Sequence, residues 1–132
     1  MIVFVDTSAF YALLDRDDAN HASAAEKWKT FLSAETTLMS TNYVLVECAA
    51  LVQARFGIAA ARAFAEDVVP LLRIEWIDGE THGAAVGAWL AASRRTLSLV
   101  DCASFEVMRR RGVRKAFSYD DHFRQQGFAC LP

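Results

Sequence analysis

The chain has 132 residues, 54% of them hydrophobic, and a formal charge of −2. That length suits a single domain, 1–132, with a sizeable core, and the composition excludes disorder. No apolar run approaches the roughly 18 residues that span a bilayer, the first residues lack the pattern of a signal peptide, and the three cysteines show no CxxC spacing, so a cytoplasmic protein with buried free thiols is expected.

The small net charge hides an asymmetry: residues 1–92 carry 6 basic and 12 acidic side chains, and residues 93–132 carry 8 and 4. Arg94, Arg95, Arg109, Arg110, Arg111, Arg114 and Lys115 therefore offer a local surface for phosphate, although the whole chain is not basic. Arg109–Arg111 equally suit the negative end of a helix dipole.

In chain order, Ile2–Val5 is an apolar, mostly β-branched run that ends on Asp6, Thr7 and Ser8. Such a run predicts a strand buried on both faces, as in a parallel sheet covered by helices. Ligands of such sheets sit beyond the carboxyl ends of the strands, where Asp6 stands. Asp6 is thus either a site residue or only a helix cap, with Thr7 and Ser8 as further capping candidates for the helix that Phe10–Leu14 begins. Arg16–Asn20 reads as a loop. His21–Ser33 has helical spacing, with Ala25, Trp28 and Leu32 on one face and Phe31 beside it.

Thr36–Ser40 predicts a short strand, and Thr41 or Asn42 can cap a helix reaching Phe56, stopped by Gly57. The surface of that helix is almost wholly apolar except for Glu47. A carboxylate so placed either reaches solvent at an edge or has a cation waiting for it. Ile58–Val69 predicts another helix ended by Pro70, Leu72–Ile77 a strand, and Asp78 a cap for a helix over Gly79–Ser93. Thr96–Val100 leads into Asp101, which sits at the N-terminus of a helix over Cys102–Arg111, with Gly112 as its stop. Lys115–Tyr119 predicts the last strand, ending on Asp120, and Asp121–Phe123 begins a turn closed by Gly127. Strands alternating with helices of this length imply βαβ units and a parallel sheet with helices on both sides.

In such a sheet Asp6 and Asp120 share one rim, the helix of Asp101 starts there, and Glu47 lies roughly 7–9 Å along another helix from its cap. Four acids can gather. Two like charges about 4–5 Å apart repel by roughly 3–4 kcal/mol even at an effective dielectric of 20, so such a cluster wants a cation. With oxygen ligands and no histidine or cysteine converging by sequence, Mg²⁺ or Mn²⁺ fits better than zinc. A hard cation of this kind works on phosphates. Phosphatases that form an aspartyl-phosphate need a second acid where Ser8 stands, receiver domains need a lysine at the end of the last strand, and no glycine-rich phosphate loop follows any strand.

The residues resemble the PIN domains, and within them the VapC-type ribonuclease toxins of toxin–antitoxin pairs. The likeness rests on IVFVDTSAFYALL, on STNYVLVECAALV around Glu47, and on TLSLVDCASFEVMRRRGVRKAFSYDDHFRQQGF with Asp101 and Asp120. The resemblance implies a three-layer α/β/α sandwich around a central parallel sheet, usually dimeric, and an endoribonuclease dependent on Mg²⁺ or Mn²⁺. It assigns Asp6, Glu47, Asp101 and Asp120 to catalysis and metal binding, with Thr7, Asn42 and Ser118 as polar support. Ser118 departs from the commoner threonine but keeps the hydroxyl. Arg94, Arg95 and Arg114 become candidates for the RNA backbone, and a small antitoxin becomes the expected partner. Two alternatives stand beside this: an RNA-processing nuclease outside any toxin system, and a non-catalytic binding module whose acids are only caps.

Overall fold

The computed structural model describes residues 1–131. Five strands form one wholly parallel sheet: β1 (Ile2–Val5), β2 (Thr37–Thr41), β3 (Arg73–Glu75), β4 (Lys115–Phe117) and β5 (Ala129–Cys130), in the order β3-β2-β1-β4-β5. The helices are α1 (Thr7–Leu14), α2 (His21–Ser33), α3 (Asn42–Phe56), α4 (Ile58–Ala63), α5 (Gly79–Ala92), α6 (Leu99–Arg111) and α7 (Asp121–Gln125).

β1 is central because its residues are apolar on both faces, and Val3, Phe4 and Val5 are fully buried. Alternation along the strands sends Phe4 to one side, against Phe123 of α7, which in turn packs edge-on to Phe105 of α6. Phe117, level with Val5, faces the other side and meets Phe31 of α2, while Phe10 of α1 packs on Trp28 and Phe64. Helices thus cover both faces of the sheet, giving the three layers expected, and right-handed crossovers account for the division.

The structure departs from the sequence reading in several places. The buried face of α2 is Ala24 and Phe31, with Trp28 partly covered, whereas Leu32 is exposed. The helix expected over Ile58–Val69 is α4 followed by a π turn (Phe64–Val68) and a 3₁₀ turn (Val69–Leu71); widening the coil brings Phe64 into the core. Helix α6 begins at Leu99, not Cys102, and Ser98 is its cap. Strand β5 has only two residues and carries no alternation that a pattern could reveal.

Candidate active site

The chain winds outward from β1 through β2 to β3, then returns across the sheet to β4, so β1 and β4 are neighbours where the winding reverses. A crevice opens beyond the strand ends at such a point. Asp6 follows β1 and Ser118–Asp120 follow β4, which brings both segments to it. Asp6 is 3% exposed, and its Oδ2 accepts hydrogen bonds from the Ser8 N–H (3.3 Å), the Ser8 hydroxyl (2.7 Å) and the Ser118 hydroxyl (3.2 Å). Ser8 Oγ accepts the Tyr119 N–H at 2.9 Å, and Ser118 Oγ accepts the Asp120 N–H at 3.0 Å. Two hydroxyls therefore tie the end of β1 to the end of β4.

Asp120 caps α7, accepting the His122 N–H on Oδ1 at 2.9 Å. Asp101 lies within the first turn of α6 in a capping box: its N–H donates to Ser98 Oγ at 3.0 Å, and its Oδ2 accepts the Ser98 N–H at 3.1 Å. Glu47 is half-buried on α3. Asp6, Glu47, Asp101 and Asp120 line one open cavity of about 570 Å³, and Asp18, from the α1–α2 loop, lines it too. The acids converge, and no Lys or Arg lines that cavity.

The consequence is electrostatic. Burial pushes the Asp6 carboxyl up to about 6; the Ser8 hydroxyl opposes that rise, and the neighbouring Asp101 and Asp120 add to it. Asp101 is raised as well, first by burial, and Asp120 contributes. Buried Cys48 is pushed up to about 12 by burial, then by Glu47 and Asp6, so its thiol stays protonated and is neither a nucleophile nor a soft ligand.

One histidine does converge, which the sequence reading did not foresee. Ligand atoms of Asp101, Asp120 and His122 all lie within 4.8 Å of one another. His122 Nδ1 is 2.7 Å from Asp120 Oδ1 without forming an aligned hydrogen bond, and Thr7 Oγ1 is likewise buried with no hydrogen-bond partner among the described residues. Clustered carboxylates, a carboxyl driven toward its neutral form and two unsatisfied polar atoms together form a donor set that fits a divalent cation, oxygen-rich with one available imidazole.

Other predicted residues are distributed unevenly. Ser118 and Thr7 belong to this rim. Asn42 stands beside it: its Oδ1 accepts the Ile77 N–H at 2.8 Å, and with Tyr43, Val46, Glu47 and Val100 it lines a neighbouring, mostly apolar groove. Arg94 and Arg95 are exposed in the α5–α6 loop; Arg94 donates to Gln125 at 3.3 Å, and Thr96 of the same loop lines the acid cavity. Arg114 is not brought there. It precedes β4 and so lies at the opposite rim, roughly 13 Å of strand from Ser118. Arg109–Arg111 are engaged elsewhere, Arg109 over Phe128 and Phe105, Arg110 with Glu106 and Glu80, Arg111 with Glu75. Residues that sequence reasoning missed are Ser8 as a ligand to Asp6, Asp18, and His122; a serine two after the aspartate, in a strand-to-helix turn, was the available signal for the first.

Comparison with known proteins agrees with this geometry. The family model described as PIN domain matches residues 3–129. The chain is 34% identical over 128 residues to the 23S rRNA-specific endonuclease VapC20 of Mycobacterium tuberculosis, covering 96% of this chain and 95% of that one. The crystal structure of the same M. tuberculosis VapC20, described as a Sarcin-Ricin loop cleaving toxin, superposes with a TM-score of 0.84 at 33% identity, over 98% of this chain and 97% of that one. VapBC2 from Rickettsia felis, bound to a DNA fragment from their promoter, shares the fold at 10% identity and a TM-score of 0.73 over 99% and 98% of the two chains. An acid-lined crevice at the winding reversal of a β3-β2-β1-β4-β5 sheet, matched by a family model over nearly its whole length, means that this chain belongs to the PIN domain family.

Proposed function

We propose that this chain is a divalent-metal-dependent endoribonuclease, the toxin of a toxin–antitoxin pair, acting in the cytoplasm. The observation that carries the reading is the cavity at the ends of β1 and β4, where five carboxylates meet with no Lys or Arg among them. Asp6, Asp101 and Asp120, together with Glu47 of α3, would hold Mg²⁺ or Mn²⁺. Such an ion supplies charge neutralisation at a phosphodiester and a lowered pKa for water. The protein's own part is placement: the Ser8 and Ser118 hydroxyls fix one oxygen of Asp6, the Ser98 capping box fixes Asp101, and the start of α7 fixes Asp120. Thr7 and Asn42 complete the polar support, and Arg94 and Arg95, in the loop whose Thr96 lines the cavity, are the candidates to meet RNA backbone.

The 34% identical relative named for 23S rRNA makes ribosomal RNA the first substrate to try. The family likeness and that relative's description as a toxin support an inhibitory antitoxin as partner. The homodimer expected of the family is the assembly proposed with this reading, and exposed Trp89 and Leu90, which line one depression on α5, are apolar surface it could cover. No helix among the described residues is long and apolar enough to cross a membrane.

The test is cleavage of total RNA by the purified chain with Mn²⁺, with EDTA, and after Asp6→Asn. Cleavage is expected in the first case only, with the variant melting no lower than the parent. An Asp6→Asn chain that cuts at the parental rate overturns the assignment, and a parent that neither cuts nor is stabilised by Mn²⁺ favours the binding-module alternative. Growth arrest on expression, relieved by a small neighbouring gene, tests the toxin role.

A further inference from the structure

The acid cavity has a difficulty that an ion alone does not remove. With Asp18 it carries five carboxylates and no Lys or Arg, so an incoming polyanion meets repulsion on both sides of whatever phosphate is bound. Apart from Arg94 and Arg95 of the α5–α6 loop, the arginines of the basic segment are placed poorly to help: Arg109–Arg111 are engaged with protein partners, and Arg114 is on the far rim. A second depression of about 280 Å³ adjoins the acid cavity, sharing Asn20, Tyr119 and Asp120 with it, and Arg124 lines it. Arg124 is 59% exposed, and its nearest carboxylate, Asp121 Oδ1, is 3.8 Å away, too far for a hydrogen bond. The guanidinium donors are therefore free among the described residues. Beside it, the Ser23 and Tyr119 hydroxyls lie 3.0 Å apart, and the Asn20 carboxamide makes no side-chain hydrogen bond. The charged groups facing this depression are Arg124, Asp120 and Asp121; Cys130 closes it.

We propose that this depression is a phosphate subsite for the nucleotide next to the scissile bond on a single RNA strand, with Arg124 as its cation and Ser23, Tyr119 and Asn20 as neutral donors. The subsite rests on the ribonuclease reading and adds a direction to it: the strand crosses from the acids toward α7. A planar, forked cation with uncommitted donors is suited to a phosphate's paired oxygens. Asp121 works against it, which gives the subsite a second handle of opposite sign.

Binding of a single-stranded RNA oligonucleotide is measured across NaCl concentrations on the Asp6→Asn chain. Arg124→Gln is expected to weaken binding about tenfold and to reduce the slope of log K against log salt by about 0.7, as for one lost phosphate contact on a single strand. Arg124→Lys should restore the slope, and Asp121→Asn should tighten binding. In the chain with Asp6 intact, Arg124→Gln should raise KM far more than it lowers kcat, and the Mn²⁺-induced rise in Tm should stay at the parental value. Unchanged affinity and slope in Arg124→Gln overturn the subsite while leaving the ribonuclease reading intact. A parent that neither binds nor cuts RNA defeats both, and shows itself before any Arg124 variant is made.

Discussion

Asp6 and Asp78 occupy equivalent places in the chain, each following a strand and capping a helix, yet their surroundings are opposite. Asp78 is exposed, accepts the Thr81 N–H at 2.9 Å, and its carboxyl is held below the usual range by those bonds to Thr81, with Arg110 adding to the effect. In its corner Glu75 meets Arg111 at 3.0 Å, and Arg110 meets Glu106 at 2.8 Å and Glu80 at 3.4 Å. Asp6 is buried among other acids and pushed up to about 6. A carboxylate at the end of a strand is thus common to a structural corner and to a reactive one. What separates them is whether the fold supplies the balancing charge itself or leaves that to a ligand.

The sharpest way to break this comparison is to neutralise each aspartate without changing its shape. Asp6→Asn should lower metal-dependent RNA cleavage on the order of 10³-fold, whereas Asp78→Asn should leave it within about twofold. Equal losses in both variants would mean that the imbalance of charge has no bearing on the chemistry. Next in size is pH dependence in the metal-free chain. An Asp6 raised from the unfolded value near 3.9 to about 6 stabilises the fold fully below about pH 4 and loses that contribution as pH rises through 6, on the order of 3 kcal/mol. The Tm should therefore fall between about pH 4.5 and 7.5, recover with Mn²⁺ at the upper end, and fall less in Asp6→Asn, where Asp101 remains as a raised carboxyl. Asp78 has the opposite sign: its contribution exists above the unfolded value and disappears as acid reaches its lower folded pKa, so Asp78→Asn should lower Tm slightly at neutral pH and converge with the parent in acid.

Smaller effects sharpen the comparison from within each corner. Ser118→Ala removes the hydroxyl that joins Asp6 Oδ2 to the Asp120 N–H, and Mn²⁺ affinity by calorimetry should fall about 10–100-fold, with Ser118→Thr near the parent. An alanine variant that binds Mn²⁺ normally would show that the acids need no such tie. In the balanced corner, Arg110→Met should shift Tm by less than about 3 °C and leave cleavage unchanged, because its ion pairs are partly exposed.

Much of the acid site was legible because it is written where regular patterns stop. An apolar run ending at Asp6, a lone Glu47 on an apolar helix and a last strand ending near Asp120 each break a period that packing would otherwise continue. Helix α6 was legible but its start was misplaced, since Ser98 caps it and Asp101 answers from inside the turn. Asp18, His122 and Arg124 were not legible in their present roles. They lie in a loop and a five-residue helix with no period to interrupt, and only the closure of β1 against β4 places them beside the acids. Arg114 shows the converse error: closeness in sequence to the basic end of α6 says nothing about which rim of the sheet a residue reaches. Helical spacing put Ala25, Trp28 and Leu32 on one face, but the neighbouring stripe through Ala24 and Phe31 is the buried one, with Phe31 against Phe117 of β4.

The outermost strands, β3 with three residues and β5 with two, leave the sheet almost no free border. A peptide seeking to extend it would find too few unpaired amides to hold it, and stacking of one molecule on the next into fibrils is discouraged for the same reason.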